Sequence, residues 1–160
     1  MLDSEGFPGT DPLRPRSPEA CLSTHLTSCL QDPVIEGRLS AFGFDAVGKY
    51  ERWSRDALED MIAARAAYGD DLPFELRTER MLLVLKHRFW WKAIAGDEQD
   101  CHFWQEVQLE FPGLANDASY LEVSIEKTGF SDAGSMSAAL SQLRHDLHLG
   151  EIVSEPHPRL

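Results

Sequence analysis

The sequence predicts an all-α protein, an irregular single-domain bundle of five or six helices. The first observation behind this is Met81 to Ala95, MLLVLKHRFWWKAIA, in which eleven of fifteen side chains are apolar. At about 100° per residue they surround nearly the whole helical circumference, the mark of an element packed on several sides. The second is that the flanking segments repeat apolar residues at helical spacing between a capping residue and a Gly or Pro stop. The third is that one short stretch alternates as a strand would, and no partner strand for it is evident elsewhere.

Taken in order, residues 1–16 carry Pro8, Pro12 and Pro15 with Gly6 and Gly9 between them, so they are expected to form an arm outside the bundle. Ser17, Pro18 and Glu19 cap and open the first helix, and Leu22, Leu26, Cys29 and Leu30 line one side of it. Asp32 and Pro33 are expected to stop that helix and to open a second, short one over VIEGRLSAF, weakened by Gly37 and ended by Gly43. Asp45 then precedes a long helix terminated by Gly69. Val47, Tyr50, Ser54, Leu58, Met61, Arg65 and Tyr68 trace its broad side, with Trp53, Ala57 and Ile62 beside it.

The central helix comes next, over residues 76–95. A short Gly96–Asp97 connection predicts an antiparallel neighbour alongside it, residues 98–111, whose apolar side is Phe103, Trp104, Val107 and Phe111. Pro112 and Gly113 stop that helix. Residues 118–128 read two ways: Asn116 or Asp117 can cap a helix, while Leu121, Val123 and Ile125 alternate with polar residues as in an edge strand. Helix is preferred for want of a partner strand. The last helix, SMSAALSQLRHDLHLG, takes Ser135 as its cap and Gly150 as its stop, with Met136, Ala139, Leu140, Leu143 and Leu147 along one side. The domain expectation is therefore a 17–150 acidic helical domain between the 1–16 arm and a short 151–160 tail.

Twenty-seven acidic residues against fifteen Lys and Arg give a net charge of −12. That field repels phosphate backbones and acidic membranes and favours a protein partner with a basic surface, either a single chain or a larger complex. A homo-oligomer is compatible with it as well. The three cysteines, Cys21, Cys29 and Cys101, form no CxxC pair and no even disulfide set; with no signal-peptide pattern at the start, a cytoplasmic location is expected.

Charge is unevenly distributed. Arg77, Arg80, Lys86, Arg88 and Lys92 cluster on the central helix, whereas Asp97 to Glu126 holds eight acidic residues and no Lys or Arg. Arg88 and Lys92, one turn apart amid apolar positions, are expected to form structural ion pairs with that acidic half while their alkyl stems cover hydrophobic neighbours. The strongest interaction feature is aromatic: Trp90, Trp91, Phe103 and Trp104 are candidates for a protein-binding patch with an acidic rim. The leading expectation is thus a non-catalytic accessory, adaptor or inhibitory protein without a cofactor.

Two alternatives use other residues. Glu98, His102 and Glu106 are spaced four apart, so one helical face can carry a histidine between two carboxylates, and with His87 this would suit a small metal-dependent or acid-base enzyme. No HExxH, GxSxG, P-loop or GxGxxG pattern accompanies them. Residues 120–149 loosely resemble a helix-turn-helix carrying Arg144, His145 and His148, which would suit DNA binding, although Asp146 and the whole-chain charge oppose it.

Overall fold

Capping residues and glycine stops help cut the described residues into six helices, with no strand among them. The computed structural model describes residues 18–96 and 101–149. They form one all-helical domain: α1 (Pro18–Ala41), α2 (Ala46–Tyr68), α3 (Phe74–Ala95), α4 (His102–Glu110), α5 (Pro112–Thr128) and α6 (Ala133–Asp146). The 1–16 arm and the 151–160 tail expected from sequence lie outside the described residues, as do Ser17 and Gly150.

Helix direction follows from the cross-contacts. His25 meets Glu79 at 3.2 Å and Asp32 meets Lys86 at 2.6 Å, while Gly37 abuts Ala93, so α1 and α3 run parallel. α5 also runs with α3, since Arg77 pairs with Asp117 and Arg88 with Glu122. Helices α2, α4 and α6 return between them: Lys49 near the start of α2 pairs with Glu36 near the end of α1, and Phe103 at the start of α4 stacks on His87. Phe130 ahead of α6 packs on Phe89, while Leu147 beyond its end reaches the region of Phe74 and Met81.

Several expectations about boundaries are corrected, two of them at prolines. Pro33 does not end a helix; it sits buried inside the continuous α1. An interior proline costs about 3 kcal/mol through the lost amide donor and the ring clash. Packing of Leu22, Leu26, Cys29 and Leu30 against α3 holds the helix before it, and the Glu36–Lys49 pair holds it after. Second, Pro112 does not merely stop α4. It is the first residue of α5, where its missing N–H and fixed φ are tolerated, so the ambiguous 118–128 stretch is the later part of a longer helix.

The caps show the same local chemistry. Asp45 accepts from the Gly48 amide at 2.9 Å and opens α2 as expected. At α6 the cap is Asp132 rather than Ser135; the two form a reciprocal capping box, with Ser135 at the third helical position. α4 starts later than expected, at His102, because Cys101 is extended with φ −94° and ψ 153°. The main long neighbour of α3 is α1 rather than α4. α4 touches α3 through side chains, Phe103 on His87 and Trp104 under Arg88.

The α1–α3 contact depends on a missing side chain. A Cβ on Gly37 would lie 3.1 Å from Ala93 Cβ and 3.3 Å from the Ala93 carbonyl oxygen. Gly37→Val is expected to destabilise the fold by about 1–3 kcal/mol through overpacking, measured as a lowered midpoint in chemical denaturation. An unchanged midpoint would show that the two helices part there without cost.

Candidate functional site

The interior around α3 is built from rings. Tyr50 of α2 packs edge-on against Trp90 at 5.4 Å between centroids and lies 5.1 Å from Trp91. His87 lies 5.9 Å from Trp90 and 4.7 Å from Phe103. Trp90, Phe103 and Trp104 are at most 5% exposed, so three of the four candidate patch rings are core. Trp91 is half-buried and lines a pocket of about 320 Å³ with Tyr50, Cys101 and His102. Consecutive tryptophans point about 100° apart, which is why one is sealed and its neighbour reaches the rim.

Burial sets the protonation of the polar groups in this interior. His87 is 2% exposed, and its Nδ1–H donates to the Leu83 carbonyl at 2.8 Å. Desolvation brings its pKa down to about 4, against the Leu83 and Trp53 carbonyls, which favour the charged ring. The imidazole is therefore neutral near pH 7. Tyr50 lies 3.4 Å from Cys101 Sγ, and burial, then that thiol, raise the phenol's pKa. Burial likewise keeps Cys29 a thiol, with Lys86 opposing.

Arg88 and Lys92 carry the charges of α3 toward α5. Arg88 Nε and Nη2 donate to the two Glu122 carboxylate oxygens at 3.1 and 3.2 Å. Lys92 bonds both Glu122 and Glu126. Burial works against the Lys92 charge, but its hydrogen bonds to Glu122 and Glu126 outweigh it and hold the pKa above the ordinary lysine value. The Arg88 guanidinium also lies over Trp104, 4.3 Å from the ring centroid. Both carboxylates belong to the acidic 97–126 half of the chain.

Among the described residues, the enzyme candidates His87, His102 and Glu106 do not share one site. His102 is highly exposed, with Nδ1 3.6 Å from Glu106 Oε1, beyond a well-formed hydrogen bond. Glu98, the third member of the expected Glu98–His102–Glu106 face, lies outside the described residues, and Cys101, just before His102, is extended. His87 is in the core and does not line the pocket that His102 lines. No group of three or more His, Cys, Asp or Glu among the described residues is placed to hold a metal ion. Arg144, central to the DNA-binding alternative, is half-buried.

The surface feature that sequence reading missed is a groove of about 310 Å³ where the start of α3, the middle of α5 and the end of α6 meet. Met81, Leu121 and Leu147 form its apolar walls, and the rings of Phe74 and Tyr120 stand at it 48% and 72% exposed. Asp117 and Asp146 add carboxylates, with Arg77, Thr78 and His148 completing the lining. Asp146 accepts from Ser124 and Gln142, at 3.0 and 2.8 Å, which fixes one carboxylate in place. Its pKa lies below the ordinary value: burial raises it, and the hydrogen bonds from Gln142, His145 and Ser124 prevail. The available signal was the helical reading of α5. Ala115, Ala118, Leu121, Glu122 and Ile125 are its buried side, which leaves Tyr120 and Val123 outside. The chain matches no protein-family model, no curated protein and no solved structure. No helix among the described residues is long and apolar enough to cross a membrane.

Proposed function

We propose that this chain is an acidic, non-catalytic accessory or adaptor domain of the cytoplasm that binds a basic, amphipathic segment of another protein through the Phe74–Tyr120 groove. The observation that carries the reading is the combination of exposed rings, apolar walls and fixed carboxylates in one concavity. Phe74 and Tyr120 supply apolar area at little conformational cost, and Asp117 and Asp146 select against an acidic occupant. The −12 net charge of the chain adds long-range attraction for a basic partner and speeds encounter. The buried rings Trp90, Phe103 and Trp104 serve this role indirectly by fixing α3, and Trp91 offers a second contact at the half-buried rim.

The test is a titration of the full chain with a synthetic Leu/Lys amphipathic helical peptide, followed by NMR at the Met81 methyl and the Tyr120 ring. Saturable shifts that weaken with added salt are expected, and Tyr120→Ser should reduce affinity by about tenfold or more. Absence of shifts at low salt, or equal binding by the variant, would overturn the reading. Shifts that depend on protein concentration without peptide would instead identify a second copy of the chain as the occupant.

A further inference from the structure

The two carboxylates of the groove are not equally open to a ligand. The Asp146 side chain is 12% exposed, and both of its oxygens already accept hydrogen bonds, Oδ1 from Gln142 and Oδ2 from Ser124, with His145 Nδ1 3.3 Å from Oδ1. The Asp117 side chain is 52% exposed, and among the described residues it is bonded by Arg77, whose Nη2 lies 3.2 Å from its Oδ2. Arg77 is itself 68% exposed, and an ion pair so placed in water is weakly held. The groove's other polar side chains, Thr78 and His148, supply no anion. A cation entering with a basic segment therefore needs the carboxylate that Arg77 already holds.

Arg77 has a second environment within its lining. Its side chain also borders a cavity of about 510 Å³ formed with the α2–α3 connection and the α4–α5 junction. Asp70, Asp71 and Glu110 line that cavity beside Arg65 and Arg80. Arg65 is committed to Glu110, donating to its carbonyl and carboxylate oxygens at 2.6 Å each. Asp70 and Asp71 are exposed, and together they outnumber the remaining cation, Arg80. A guanidinium that leaves Asp117 for this cavity thus stays in a favourable field.

We infer that Asp117 is the carboxylate that receives the partner's lysine or arginine, and that Arg77 is its resident competitor, displaced toward the neighbouring cavity when the partner binds. This rests on the groove being the partner site, and it names the residue pair that sets the charge specificity there. The exchange costs little, because one exposed ion pair replaces another. An occupant without a cation gains nothing from it.

The experiment uses the full chain at physiological salt, which screens charges more than about 8 Å apart. The probes are the Leu/Lys peptide and a Leu/Gln analogue of equal length. Arg77→Gln should tighten the Leu/Lys peptide about threefold, and Asp117→Asn should weaken it by about threefold or more, with the analogue little changed by either. In the double variant the gain from Arg77→Gln should disappear, since no carboxylate is left for it to release. An equal gain in both backgrounds would show that Arg77 acts only through its charge and would overturn the competition. Equal Leu/Lys binding by Asp117→Asn and the native chain would overturn the anchor, and the groove reading survives that result if Tyr120→Ser still weakens the peptide. No binding by either the native or the Arg77→Gln protein would remove the groove reading and this inference together.

Discussion

Glu122→Gln is expected to destabilise the fold by about 2–3 kcal/mol, because it leaves two half-buried cations without their shared, buried counter-charge. The glutamine keeps the size of the glutamate and loses its charge. The Glu122 side chain is 6% exposed, and those of Arg88 and Lys92 are 15% and 20% exposed, so water can do little to replace the lost partner. Arg88 cannot swing outward without uncovering Trp104, over which its guanidinium lies. Glu126 can keep Lys92 company from a more exposed position, but no second carboxylate bonds Arg88 among the described residues.

Two comparison variants separate this from ordinary surface electrostatics. Arg77→Gln breaks the exposed Asp117 pair and should cost no more than about 1 kcal/mol. Replacing all three charges of the cluster together, with Arg88→Met, Lys92→Leu and Glu122→Leu, should recover most of the loss, since apolar groups of similar volume avoid the desolvation cost. Denaturation midpoints of the four proteins decide the matter. A Glu122→Gln protein as stable as Arg77→Gln would mean that the cluster does not tie α3 to α5.

The cations of this cluster were legible in the sequence and the shared anion was not. Arg88 and Lys92 stand out as charges one turn apart within an apolar helix. Glu122 stands at a polar position of a stretch whose alternation imitates a strand, and only the helical period places it beside Leu121 and Ile125 on the buried side. Pro33 illustrates the opposite failure: a reliable local stop was overridden by packing along the whole of α1, which no local window contains. The central character of α3 was readable because its apolar residues encircle the helix. Which rings would be sealed was not, since Trp90 and Trp91 differ only in which neighbours they meet. The groove was the least legible part of all. Phe74, Tyr120 and Leu147 come from separate segments, and their meeting depends on α5 and α6 packing around one end of α3.

Acidification should destabilise this protein through His87 by about 3 kcal/mol between pH 6.5 and 4. The folded-state pKa of His87 is about 4, against 6.5 for an ordinary histidine, so the unfolded chain binds the proton first. The contribution of neutral His87 is therefore fully present above about pH 6.5, falls as pH drops, and is fully lost once pH is below the folded value. The neutral ring fits because Nδ1–H donates to the Leu83 carbonyl, while desolvation of the buried ring outweighs the pull of the Leu83 and Trp53 carbonyls toward the charged form. A proton on Nε2 would place a charge among Tyr50, Trp90 and Phe103, where the first cost is desolvation. His87→Asn retains a side-chain donor for Leu83 and cannot titrate in this range. Its absolute stability will fall because the ring's packing is lost, so the diagnostic quantity is slope. Between pH 6.5 and 4 the native protein should lose stability more steeply than the variant, approaching one proton, or about 1.4 kcal/mol per pH unit, in the middle of the window. The carboxylates, Asp146 and Asp132 included, are common to both proteins and cancel in the comparison. Identical slopes would show that His87 takes up its proton without unfolding and that its enclosure by α2, α3 and α4 opens readily in the native state.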